Sequence, residues 1–257
     1  MKVTFLGCGG AAGVPTISGG WGACDPANPR NRRLRSSILV EEGETRILVD
    51  TSPDLRDQLL AAEVRSVDAV IYTHDHADHL HGIDDLREIN RATRKWLPIW
   101  GDAGTLATAR NRFAYAFEPM VEMGEFIYRP LLEAHEISGP FRIGDIEVIP
   151  FDQDHGYCRT LGLRFGPIAY STDVVELPPD AFKALEGVDT WIIGCLVDYP
   201  HQTHAHIAKA LEWIDCVRPR RAYITHMGSR LDYEAVRRAV PPHVIPAHDG
   251  LVIEHGR

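Results

Sequence analysis

The sequence predicts an α/β domain in which sheets carry helices on their outer sides. Short runs rich in Val and Ile recur along the chain and end in Gly, Pro, Asp or His, as strands feeding loops do. Helical patterns lie between them, and no Gly/Ser/Pro linker, internal repeat or low-complexity tract interrupts the 257 residues. Strands alternating with helices bury both sheet faces. The expectation is therefore one domain spanning 1–257, long enough to bury a sizeable core without disulfides.

In chain order, the strand-like runs are 2–6, 37–40, 46–50, 67–72, 141–151, 161–165, 168–172, 190–197 and 221–225. After Pro53, the spacing of Leu55, Leu59 and Leu60 predicts one helix face. Ile207, Leu211 and Ile214 predict another, in a helix from about His204 to Cys216. The stretch 118–136 fits neither pattern and reads as an insertion or a lid.

Composition narrows the partners. With 44% hydrophobic and 25% charged residues the chain is of ordinary globular type. Its formal net charge of −9 argues against broad binding to DNA, RNA or anionic membrane. The opening MKVTFLG lacks the features of a signal peptide. The longest apolar run, WIIGCLV at 191–197, is far short of the roughly 20 residues a membrane span needs. Cys8, Cys24, Cys158, Cys195 and Cys216 are scattered, odd in number and without a C-x-x-C pair, which predicts reduced thiols in a cytoplasmic protein.

The strongest chemical signal is Thr73-His74-Asp75-His76-Ala77-Asp78-His79, directly after the run 67–72. His74 and His76 are two apart in an extended segment and so point to one side. Asp78 and His79 come as the chain turns towards a helix and can face a second ion. Four metal-capable side chains within six residues are costly to bury without partners. His155 in FDQDHG, Asp173 ending IAYSTD and His226 ending AYITH each stand where an apolar run gives way to a loop, the usual place for ligands held by a rigid sheet.

H-x-H-x-D-H followed by single His, Asp and His residues at strand ends resembles the metallo-β-lactamase superfamily. The resemblance implies an αββα sandwich, two mixed sheets with helices on the outer faces and metals at one edge. By position it assigns His74, His76 and His155 to a first metal. Asp78, His79 and His226 then hold a second, with Asp173 bridging. Nitrogen and carboxylate ligands suit zinc or manganese, and iron also fits. Two such ions can lower the pKa of water to about 7, giving a nucleophile without Ser or Cys, and clamp a phosphoryl or acyl oxygen.

Three further stretches narrow the branch. FLGCGGAAGVPTI (5–17) resembles the opening of the phosphodiesterase branch, with Cys8 where Thr is usual. Its glycines permit a tight turn, or a loop whose amides approach an anion. Arg30, Arg32, Arg33 and Arg35 could receive phosphate, or pair with surface carboxylates. PRNRRLRSS, LVDTSPDLR and AHDGLVIE resemble the PhnP-like phosphoribosyl cyclic phosphodiesterases. Members of that group often hold a structural zinc with several cysteines where this chain has only Cys24, which argues against a third zinc. In HQTHAHI (201–207), His204 matches a histidine that reaches the scissile phosphate in this branch; His201 and His206 read as surface residues.

The resemblance thus implies a two-metal phosphodiesterase acting on a small (cyclic) phosphate ester or nucleotide, with His204 and Asp78 as candidate catalytic residues. Transfer-RNA processing is disfavoured by the charge and by the lack of a long flexible arm. The expected partner is a small phosphorylated substrate, without stable DNA or RNA binding or membrane association; a homodimer is allowed. The alternatives are a thioester or lactone hydrolase of the glyoxalase II type and a catalytically silent metal-binding module.

Overall fold

The computed structural model describes residues 1–119 and 127–256. Among them, fourteen strands form two seven-stranded mixed sheets. The first contains β1 (Lys2–Gly7), β2 (Ser37–Glu42), β3 (Thr45–Val49), β4 (Ala69–Ile71), β5 (Leu97–Gly101), β6 (Leu132–Glu136) and β14 (Val252–Glu254), in the order β14-β1-β2-β3-β4-β5-β6. The second contains β7 (Phe141–Ile143), β8 (Ile146–Asp154), β9 (Arg159–Phe165), β10 (Ile168–Ser171), β11 (Thr190–Gly194), β12 (Arg221–Thr225) and β13 (Val244–Pro246), ordered β13-β12-β11-β10-β9-β8-β7. In each sheet an antiparallel part passes into parallel pairing, beginning at β3–β4 in one and at β10–β11 in the other.

Side-chain alternation explains the apolar runs. In the first sheet Ile38, Val40, Ile47, Val49, Ala69 and Ile71 point into the core shared with the second sheet, where Val148, Leu163, Tyr170 and Ile192 meet them. The intervening Leu39, Leu48 and Val70 face the helices α1 (Leu55–Ala61), α3 (Leu86–Thr93) and α4 (Ala103–Arg112). A strand buried on both faces has no polar alternate to show, so it reads as a continuous apolar run. Helices α5 (Pro179–Leu185), α6 (Ile207–Val217) and α7 (Tyr233–Ala239) contribute Leu185, Trp213, Ile214 and Val236 to the second sheet's packing. The result is the two-sheet architecture with outer helices that the resemblance implied.

Several local expectations change. The run 141–151 is a hairpin, β7 and β8, turning at Gly144 with φ +52°. α6 begins at Ile207, three residues after His204, and Leu60 is exposed rather than on the buried face of α1. Strands β5, β6, β13 and β14 carry no strong apolar run and were not expected. Within 118–136, β6 supplies an edge strand and Arg129 donates to Glu118 O at 2.6 Å; the insertion or lid reading otherwise falls on 120–126, outside the described residues. No described helix is long and apolar enough to cross a membrane.

Candidate metal centre

The parallel strands bring their carboxyl ends together. His74, His76, Asp78 and His79 follow β4, with Asp78 and His79 in the short helix α2 (Ala77–Leu80). His155 follows β8, Asp173 follows β10 and His226 follows β12. Sharp turns at these ends lift the side chains into one cleft: Asp173 and His226 adopt left-handed φ values of +47° and +55°. For residues with a Cβ that conformation is uncommon and marks a local constraint.

The seven residues form two groups that meet at Asp173. In each group, one ligand atom per residue lies within 4.8 Å of all the others: His74, His76, His155 and Asp173 in one, Asp78, His79, Asp173 and His226 in the other. Asp173 Oδ2 is 3.8 Å from His74 Nε2 and 3.5 Å from His155 Nε2. Its other oxygen, Oδ1, is 3.2 Å from His79 Nε2 and 3.1 Å from His226 Nε2. One carboxylate therefore turns an oxygen to each group, as a bridging ligand must.

The donor atoms fit divalent cations. His74 Nε2, His79 Nε2, His226 Nε2 and Asp78 Oδ2 are buried without a hydrogen-bond partner. Four such atoms facing one cleft would be a heavy desolvation cost in a folded protein unless something binds them. The opposite ring nitrogens of His74, His79 and His155 are held, whereas His226 Nδ1 is buried without a hydrogen-bond partner. His79 Nδ1–H donates to Asp50 Oδ2 at 2.7 Å, and His155 Nδ1–H donates to the Thr203 carbonyl at 2.6 Å. Thr73 Oγ1 donates to Asp50 Oδ2, leaving a lone pair to accept from His74 Nδ1 at 3.0 Å. Each contact places the free lone pair on Nε2, the arrangement of a metal-ligating histidine with its outer partner.

Asp50 was not singled out as a site residue by sequence. It is wholly buried after β3 with φ +64°, and it accepts from Thr73 N at 2.8 Å as well as from Thr73 Oγ1 and His79. Only its place at the end of the run 46–50 hinted at a role.

The charges are strongly coupled. Burial by itself lowers His79, but Asp78, Asp173 and Asp50 outweigh it and raise this imidazole well above its ordinary value. Burial opposes ionisation of Asp173 too, yet His226 and His79 hold its carboxyl well below the usual range. A cation taking His79 Nε2 must therefore displace a proton. His74 and His155 are lowered, mainly by burial, which suits neutral ligands.

His204 joins these residues without belonging to either group. Its ring stacks on His226 with centroids 5.0 Å apart and meets His155 edge-on at 4.7 Å. Its Nδ1 is 3.8 Å from Asp173 Oδ2. Burial, then His226, lowers it to about 3, so it is a neutral hydrogen-bond donor at pH 7. His201 lies beside it, with ring centroids 5.4 Å apart, and His206 sits at the start of α6.

The arginines of the cluster each have partners within the protein. Arg33 is buried and donates to Gly228 O, Leu231 O and Asn31 Oδ1. Arg35 pairs with Asp54 at 2.8 Å, Arg30 lies over Tyr233 and Arg32 over Trp21. The glycine loop is a tight turn in which main chain engages the Gly9 and Gly13 amides, Gly9 N to Leu34 O and Gly13 N to Gly10 O. A Cβ on Gly10 would come within 2.5 Å of Leu196 Cδ1 and 3.5 Å of His226 Nδ1, so glycine lets the loop close on the site. Cys24 is buried with Sγ 3.4 Å from Ser229 O, and among the described residues it joins neither ligand group.

Comparison with known proteins agrees with this fold. The family described as "Beta-lactamase superfamily domain" matches residues 45–227. A crystal structure of a diphosphatase from the PhnP family superposes with a TM-score of 0.90 at 31% identity, covering 99% of this chain and 98% of the other. Zn²⁺-bound PqqB from Methylobacterium extorquens shares the fold, with a TM-score of 0.77 at 18% identity over 99% of this chain and 100% of the other. An octanoyltransferase of Porphyromonas gingivalis is 30% identical over 256 residues, 98% of this chain. That match takes in 51% of the relative, so the chain spans about half its length.

Proposed function

From the premise that this chain belongs to the beta-lactamase superfamily, we propose that it is a single-domain, two-metal phosphodiesterase acting on a small phosphate ester or nucleotide. The observation that carries the reading is His204, a neutral imidazole stacked on His226 and 3.8 Å from the carboxylate shared by both ligand groups. The likeness to a PhnP-family diphosphatase supports phosphoryl chemistry.

His74, His76, His155 and Asp173 would hold one cation, and Asp78, His79, His226 and Asp173 the other. Zinc or manganese suits these donors. When bound, two such cations supply a nucleophile from water at neutral pH and stabilise charge on the transferring oxygens. The chain's own residues do the rest. Asp50 and Thr203 hold the imidazoles in the ligating tautomer. His204 offers its N–H to a phosphoryl oxygen or to the departing alkoxide, and the negative charge of the substrate favours the proton there. The substrate is a small soluble phosphate in the cytoplasm, consistent with a net charge of −9 that disfavours the phosphate backbone of a nucleic acid.

Turnover by the zinc- or manganese-loaded chain of bis-p-nitrophenyl phosphate against a glutathione thioester tests this. Hydrolysis of the phosphodiester with little thioesterase activity is expected. Preference for the thioester would replace the reading with that of an acyl hydrolase, and turnover of neither would favour a silent metal-binding module.

A further inference from the structure

Residues 203–205 touch both ligand groups at once. Thr203 O accepts from His155 Nδ1 at 2.6 Å, the His204 ring stacks on His226, and Ala205 N donates at 2.5 Å to Val174 O, the residue after Asp173. Three consecutive residues are thus each tied to a different ligand or its neighbour. Ala205 O in turn accepts from Leu196 N at 3.2 Å, fixing the segment to the chain beyond β11.

The approach of this segment to His155 depends on Gly156. That residue has φ +84°, and a Cβ there would lie 2.7 Å from Gln202 O and 3.1 Å from Thr203 Cγ2. A side chain at 156 would be strained by the backbone angle and would push the segment away from the turn that carries His155. Neither the two carbonyl contacts nor Gly156 carries a ligand atom of its own.

We propose that the segment 203–205, admitted by Gly156, positions His204 through the ligands, so that ordering His155 and Asp173 around cations and placing His204 over the substrate are one event. Gly156 and the Thr203 carbonyl are then positioning groups. Their effect on turnover rests on the reading of His204 as donor to the leaving group, whereas their effect on metal binding does not.

Two measurements test the coupling. In the wild-type chain, hydrogen exchange at the Thr203 and Ala205 amides is followed while Zn²⁺ is added. Exchange at both should slow at least about tenfold as the cations bind, in the manner of a locally ordered segment; unchanged exchange overturns the proposal whatever any variant does. In Gly156→Ala, Zn²⁺ affinity is measured by competition with a chelating dye, and kcat at saturating Zn²⁺ on an alkyl and a p-nitrophenyl phosphodiester. Affinity should fall about 10–100-fold, the usual loss when an outer partner of a ligand is disturbed. The kcat should fall several-fold more on the alkyl ester, whose leaving oxygen needs the hydrogen bond. Unchanged affinity, or weakened affinity with the same kcat loss on both esters, overturns the coupling. If the wild type hydrolyses neither ester, the phosphodiesterase reading fails and the hydrogen-exchange result still decides the coupling.

Discussion

Asp50 Oδ2 lies 2.7 Å from Nδ1 of His79, and both side chains are fully buried. This carboxylate also accepts from Thr73 N and Oγ1, and Thr73 in turn meets His74 Nδ1. A single residue at the end of β3 thereby orients one imidazole in each ligand group. Asp50→Asn should weaken metal binding by about 10–100-fold while the protein still folds. Chelator competition measures it; unaltered affinity would mean that packing alone holds the two rings.

Asp173 offers one oxygen to each group, so its loss should disturb both positions. The wild-type chain should bind two divalent ions and lose activity with chelator. Asp173→Ala should hold fewer ions by elemental analysis and lose at least about a hundredfold in kcat, more than an outer-partner change costs. Two retained ions with near-normal turnover would remove Asp173 from the bridging position.

His204→Ala should leave both ions in place and lower kcat on an alkyl phosphodiester by about 10–100-fold, the range for loss of a hydrogen bond to a charged group. On a p-nitrophenyl ester, whose leaving group is stable without a proton, the loss should be much smaller. Equal losses would assign His204 to substrate binding instead.

The same residue makes a pH prediction. Its pKa, lowered to about 3 by burial and by His226, lies below the unfolded value of about 6.5. In that interval the unfolded chain binds the proton more readily. The stability contributed by the neutral imidazole is complete above about pH 6.5 and is lost as pH falls towards 3, by up to ~1.4 kcal/mol per pH unit. Thermal melts of chelator-treated protein should therefore decline less steeply below pH 6.5 in His204→Gln than in wild type. Parallel slopes would show that the proton goes elsewhere.

Around Cys24 the structure assigns the stabilising role to Arg33. Cys24→Ser keeps a hydroxyl able to reach Ser229 O and should leave folding and metal content unchanged. Arg33→Met removes the donors to Gly228 O and Leu231 O, and buried acceptors left bare cost ~1–3 kcal/mol each. Chemical denaturation should show a loss of about 3 kcal/mol or more for Arg33→Met and little for Cys24→Ser. A zinc lost in Cys24→Ser would reverse the assignment.

By itself the sequence determined the candidate ligand set and the layered α/β plan. His74, His76, Asp78 and His79 are close in the chain, and β2, β3 and β4 announce themselves because they are apolar on both faces. Strands such as β5 and β14, with partly exposed faces, lack that signal and became visible only through their pairing. The tertiary structure alone decided which candidate ligands share Asp173, that Asp50 and Thr203 orient the imidazoles, and that Arg33 faces inward rather than towards a phosphate. Those facts depend on distances between segments separated by up to roughly 200 residues, set by strand order and by turns at Asp50, Gly156 and Asp173 whose positive φ no local pattern specifies. Residue types settle which chemistry is available; the packing of the two sheets settles which atoms meet.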